Sequence, residues 1–120
     1  MSTLLVEEMS TIKLQPERRK YPRNKIAVQV ELRLEDAPAP THTQTSDLSL
    51  GGCYVEMSFT LAVGSKVDMA LWLGDDKVLA KGVVITQHSY FGNGFQFVNL
   101  APADQSKLAR FLGSLSSSRH

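Results

Sequence analysis

Apolar and polar positions alternate along most of this chain, and the alternation predicts a β protein. Ile26, Val28, Val30, Leu32 and Leu34 alternate with Ala27, Gln29, Glu31 and Arg33, the pattern of a strand with one buried face. Asp36 to Pro40 ends that strand and makes the connection to the next. Thr41 to Ser46 is polar and β-branched at alternate positions and reads as a second strand, antiparallel to the first. Cys53 to Met57 reads as a third. After a turn at Val63-Gly64-Ser65, Val67, Met69, Leu71 and Leu73 alternate with Asp68, Ala70 and Trp72. Gly74-Asp75-Asp76-Lys77 signals a hairpin, and Val78 to Thr86 follows as a strand. Gly82 inside that strand marks a bulge or a barrel bend. Ser89 to Asn93 reads as a second hairpin loop, and the last strand starts at Gly94 and carries Phe95, Phe97 and Leu100.

The period then changes. Pro102 and Asp104 open a helix, and Leu108, Phe111, Leu112 and Leu115 follow at spacings of three and four. That stripe must be buried, most economically across one open end of a barrel. Six short strands at hairpin spacing and one helix predict an all-β fold: a six-stranded antiparallel β-barrel with a C-terminal α-helix. The barrel domain is expected over residues 17–115, after a flexible N-terminal arm (1–16) and before a frayed tail (116–120).

Composition changes this picture little. The chain has 120 residues, enough for one domain with one modest core. Its net charge of +1 argues against a long polyanion as partner. The charge is uneven, however. Lys13, Arg18, Arg19, Lys20, Arg23 and Lys25 gather near the start with Glu17 as the one acid among them, which favours a local anionic ligand. The single cysteine, Cys53, forms no internal disulfide, fits a reducing compartment, and reads as a small buried hydrophobe. No apolar run approaches a membrane span, and the first residues carry acids where a signal peptide is apolar, so a cytoplasmic protein without membrane insertion is expected.

Two stretches carry candidate chemistry. Asp47-Leu48-Ser49-Leu50-Gly51-Gly52 reads as a strand-end turn with a carboxylate, a hydroxyl and two glycines. Taken alone it is an ordinary turn. Upstream, Arg18-Arg19-Lys20-Tyr21-Pro22-Arg23 is an extended arm, because Pro22 fixes its own φ and steers Tyr21 away from helix. Each guanidinium can grip a phosphate or the O6/N7 edge of guanine with two parallel hydrogen bonds.

Together, Arg19-x-x-x-Arg23 and Asp47-x-Ser49-x-x-Gly52 resemble the signature of the PilZ domain family. Gly94-Phe95-Gln96-Phe97-Val98-Asn99-Leu100 followed by a helix extends the resemblance to roughly residues 17–115. The resemblance implies a small barrel that binds the bacterial second messenger cyclic di-GMP and no cofactor. It assigns Arg19 and Arg23 to the ligand's phosphates and guanine edges, and Asp47, Ser49 and Gly52 to the same site. Asp47 suits the N1–H and N2–H donors of a guanine. Arg18 precedes the motif. The family implies that the residue here influences whether one ligand or an intercalated pair is bound, and the pair is the expectation. Binding is expected to fold the arm over the barrel and signal to an unidentified effector protein in motility, pilus or exopolysaccharide control.

The alternative within the family is a protein-interaction module that binds no nucleotide. An enzyme is not expected. His42, His88 and His120 are scattered, with no metal-ligand spacing, and no nucleophile-elbow pattern surrounds Ser49. Nucleic acid binding is disfavoured by the near-neutral charge and by few outward aromatics, Trp72 and Tyr54 being the main candidates. Trp72 is expected on the outer surface, available to a base or to a packing partner, and Gln87 and His88 end a strand that flanks the site.

Overall fold

A computed structural model describes residues 21–35, 37 and 39–117. Arg18, Arg19, the arm 1–16 and the last three residues lie outside the described residues. Six strands form one closed antiparallel barrel: β1 (Gln29–Leu34), β2 (Thr41–Leu48), β3 (Gly52–Glu56), β4 (Lys66–Leu73), β5 (Asp76–His88) and β6 (Gly92–Asn99). The order around the barrel is β1-β2-β3-β6-β5-β4, with β4 pairing back to β1. The β3–β4 connection therefore crosses one end of the barrel, from beside β6 to beside β1.

The alternation explains the core. Val30, Leu32, Leu48, Cys53, Val55, Val67, Met69, Leu71, Leu73, Val78, Val84 and Phe95 are all buried in one cluster. Their partners in the alternation, such as Arg33, Asp68 and Lys81, are exposed. Gly82 faces the interior where β5 slips register against β6 between Lys81 and Gly82, and a Cβ there would stand 2.8 Å from Met69 Sδ. The predicted bulge is thus where the barrel interior has no room for a side chain.

Several boundaries differ from those expected: β3 is Gly52–Glu56 rather than Cys53 to Met57, β5 is Asp76–His88 rather than Val78 to Thr86, and three others have a clear local reason. The first strand begins at Gln29, not Ile26. Residues before it are clipped to β2 by a side chain: Thr45 Oγ1 accepts from Val28 N–H at 3.0 Å and donates to Ile26 O at 2.8 Å. The second strand runs on through Asp47 and Leu48, because both pair with β3. The last strand starts at Gly92, two residues early. Asn93, which reads as a loop residue, is fully buried and serves the crossing connection. Its Oδ1 accepts from Leu61 N–H at 2.7 Å, and its Nδ2 donates to Leu61 O and Thr86 O at 2.9 and 3.1 Å.

Helix α1 (Pro102–Ser117) passes the expected end at Leu115 and lies against β5. Asp104 Oδ1 accepts from Leu79 N–H at 3.4 Å. Of the predicted stripe, Leu108 is fully buried in the core, while Phe111, Leu112 and Leu115 are half-buried. One complete burial at roughly 1.5–3 kcal/mol, with three partial ones, makes α1 a modest addition to the core rather than a second one.

Candidate functional site

The site forms where the chain enters the barrel. Asn24 makes a lone two-way bridge to β2: Asn24 N–H donates to Leu48 O and Leu48 N–H to Asn24 O, both at 2.9 Å. With Thr45 holding Ile26 and Val28, the entering segment is fastened to β2 at two points. That leaves Arg23 beside Asp47, with Nη1 3.6 Å from Oδ2. This is longer than a charge-assisted hydrogen bond of about 2.7–2.9 Å, so the pair is loose. The Arg23 side chain is 38% exposed and that of Asp47 20%.

Asp47 is aimed outward by an irregularity in β2. Thr45 pairs with Val55 and Asp47 with Tyr54, so Ser46 is the extra residue of a bulge. Ser46 Oγ donates to Tyr54 O at 3.3 Å and holds the bulged strand to β3. Asp47 Oδ1 is buried and has no hydrogen-bond partner among the described residues. A buried acceptor left unsatisfied costs about 1–3 kcal/mol, an unusual expense for a small barrel unless a donor arrives.

Ser49 and Gly52 sit differently. Ser49 is buried, and its Oγ accepts from Gly51 N–H and Gly52 N–H at 3.1 and 3.2 Å and donates to Gly52 O at 3.3 Å. Its N–H also donates to Gly52 O at 2.8 Å. The hydroxyl shapes the β2–β3 turn and thereby sets the direction of Asp47. Gly52 lies in β3 against β6, where a Cβ would run into the Phe95 carbonyl oxygen. Glycine at 52 thus has a packing reason independent of any ligand. Gly51 is the turn glycine that faces the entering arm: a Cβ there would be 3.0 Å from Tyr21 Cδ2. The structure therefore brings Arg23 and Asp47 together, with Ser49 and Gly52 beneath them as the frame.

Trp72 faces outward as its parity predicts, with Lys77 Nζ 5.3 Å from its ring centroid and β1 standing between its strand and β2. Gln87 Nε2 donates to Thr60 Oγ1 at 3.0 Å, toward the crossing connection. Asn24 and Thr45 escaped the sequence reading because a single Asn and a strand Thr carry no motif.

Cys53 lies under the site. Burial pushes its thiol far above the usual range, the Asp47 charge adds in the same direction, and Arg23 opposes both. The thiolate is the reactive form, so the native protein should react with a disulfide reagent at pH 8 no faster than it unfolds. Labelling rates followed through a urea series check this; rapid labelling of the native barrel would show that the site opens.

Among the described residues no group of three or more His, Cys, Asp or Glu side chains is placed to hold a metal ion, and no helix is long and apolar enough to cross a membrane.

Solved structures share the fold. The inhibitor of motility of Bacillus subtilis (MotI/DgrA) matches with a TM-score of 0.72 and 18% identity, over 86% of this chain and 54% of that one. The PilZ domain of YcgR from Escherichia coli, solved with c-di-GMP, matches with a TM-score of 0.68 and 20% identity, over 84% and 93%. MrkH of K. pneumonia, solved as a c-di-GMP complex, matches with a TM-score of 0.70 and 20% identity, over 84% and 53%. This chain thus spans about half the length of the motility inhibitor and of MrkH. No curated protein sequence matches it. The family model for the PilZ domain matches residues 17–114, from ahead of β1 into the last turn of α1, and the chain belongs to the PilZ domain family.

Proposed function

We propose that this chain is a receptor for cyclic di-GMP and performs no chemistry of its own. The observation that carries the reading is the juxtaposition of a loosely held, half-exposed guanidinium with a carboxylate whose inner oxygen lacks a donor among the described residues. A guanine presents both complements: N1–H and N2–H donors for Asp47, and an O6/N7 acceptor edge for an arginine. Each bridging phosphate offers a second target for Arg23, Arg19 and Arg18. Ser49 and Gly52 hold the carboxylate in place. Two structural relatives, YcgR and MrkH, are solved with this ligand, which supports the ligand class.

On this reading, ligand bound at Arg23 draws the preceding arm onto the barrel's outer face, and the altered surface acts on a protein partner in the cytoplasm. A second reading, a protein-interaction module without nucleotide, draws on Phe59, Tyr90 and Phe91, which are 90%, 84% and 73% exposed. The likeness to a protein named as an inhibitor of motility fits it as well.

Calorimetric titration of cyclic di-GMP into this chain, with GTP as control, separates the two. Micromolar or tighter binding of the cyclic dinucleotide alone is expected, and a stoichiometry near two ligands per chain would give Arg18 its role in holding a pair. Absence of heat, together with an unchanged melting temperature at excess ligand, would leave the interaction module.

A further inference from the structure

The outer face beside Asp47 continues across three more strands, and its next feature is aromatic. Tyr54 is the register partner of Asp47, so the two side chains leave the sheet on the same side. The same row passes to Gly94 on β6 and Thr86 on β5, and the neighbouring row runs from Glu56 through Gly92 to His88. The Tyr54 ring leans diagonally from the first row to the second. A Cβ on Gly92 would stand 2.8 Å from Tyr54 Cε1, and one on Gly94 would stand 3.7 Å from Tyr54 Cδ2. Two glycines thus strip β6 of side chains where the ring crosses it. At the far side Tyr54 Oη is 2.8 Å from His88 Nδ1, with ring centroids 5.8 Å apart and planes tilted by 38°.

This arrangement fixes a ring that would otherwise swing freely. Tyr54 is half-buried over glycine backbone and borders a shallow open groove of about 480 Å³ with Glu56, Met57, Ser58, Tyr90 and Phe91. From β2 to β5 the face spans three interstrand steps, about 14 Å, the scale of a cyclic dinucleotide rather than of one base. A cyclic dinucleotide seated on Arg23 and Asp47 needs a surface for its base planes, and stacking on a pre-oriented aromatic ring supplies one.

We infer that Tyr54, held across β6 by His88, is the stacking platform for a guanine of the bound nucleotide, and that the site extends from Asp47 over β3 and β6 to β5. The inference rests on the receptor reading above. Tyr54 touches ligand; His88 is a positioning residue that acts through the Tyr54 hydroxyl. With Tyr54 O–H as donor to Nδ1, the neutral imidazole carries its proton on Nε2, leaving a donor at the edge of the face.

The test is cyclic di-GMP titration of the parent, Tyr54→Leu, Tyr54→Phe and His88→Ala, each with a melting curve. Leucine still covers the glycines but removes the π face, so it keeps the fold where alanine would uncover backbone. Tyr54→Leu should weaken binding roughly 5- to 150-fold, the range that loss of one stacked base produces. Tyr54→Phe keeps the ring and should stay within about fivefold of the parent, and His88→Ala should match Tyr54→Phe because both cut the same hydrogen bond. A folded Tyr54→Leu that binds like the parent overturns the inference and leaves the receptor reading standing. A parent that binds no cyclic di-GMP overturns both.

Discussion

Gly52→Ala should destabilise this barrel more than any other single-methyl addition in it. The added Cβ would enter the Phe95 carbonyl oxygen and lie 3.0 Å from Phe95 C and 3.2 Å from Gln96 Cα, all three belonging to the β6 backbone. A flexible side chain can step aside from such a clash; a paired strand cannot. Gly52 pairs with Gln96 and Cys53 with Phe95, so β3 and β6 would have to separate along their shared seam. Overpacking typically costs about 1–3 kcal/mol, and backbone against backbone belongs at or beyond the top of that range. In a domain of this size, 3 kcal/mol corresponds to a melting temperature lower by on the order of 15 °C. Gly113→Ala is the matched control. Its Cβ would meet nothing within 4 Å and its position is helical, so it should raise stability by about 0.5–1 kcal/mol. Thermal melts of both variants read out the contrast, and a Gly52→Ala protein that melts with the parent would mean that β3 and β6 do not pack as closely as described.

The consequence reaches the site. Gly52 N–H donates to Ser49 Oγ and Gly52 O accepts from Ser49 N–H, so displacing Gly52 distorts the turn that sets Asp47. On the proposed receptor reading, Ser49 and Gly52 can therefore matter to the ligand without touching it. Loss of binding in Gly52→Ala would reflect the frame and would not locate the nucleotide.

The legible parts of this fold are those with a local cause. Alternation from Val67 to Leu73 placed four apolar side chains inward and Trp72 outward, and burial follows that parity except at Ala70, which is buried with the outward parity. Gly82 signalled its bulge because a glycine inside a strand has few other reasons to be there. What stayed illegible depends on which partners the fold supplies, near or far in the chain. Asp47 reads as a turn residue until Tyr54 is known to pair with it. Asn93 reads as a loop residue until Leu61, 32 positions away, is found to need both a donor and an acceptor. The pairing of β3 with β6 follows no hairpin, and it is that pairing which lays Tyr54 over Gly92 and toward His88. Arg23 and Asp47 stood out in the sequence by their types and order, whereas their 3.6 Å separation rests on Asn24 and Thr45, two residues without a motif.

Asp47→Ala should weaken cyclic di-GMP binding by at least about 30-fold while leaving the protein as stable as the parent or more so. The two halves of this expectation come from the same atom. Asp47 Oδ1 is buried without a partner among the described residues, so removing the carboxylate relieves an unsatisfied acceptor whose cost is about 1–3 kcal/mol. The ion pair lost with it is loose and partly solvated, and such pairs contribute about 0–1 kcal/mol. The balance favours the variant, or is neutral. Binding moves the other way. A guanine edge delivered to Asp47 would satisfy Oδ1 in the complex, and truncating one partner of a desolvated, charge-assisted contact typically costs about 2–5 kcal/mol, roughly 30- to 5,000-fold in affinity. Arg23→Lys tests the other half of the pair. It keeps the charge but presents no planar fork, so it should lose much of the affinity that Arg23→Ala loses, with little change in melting temperature for either. Stability held in reserve against function is the signature of a binding site, and an ordinary structural ion pair gives the opposite sign. If Asp47→Ala melts several degrees below the parent and binds the nucleotide unchanged, the Arg23–Asp47 pair is a fastening of the entering segment, and the ligand must be sought elsewhere on the barrel.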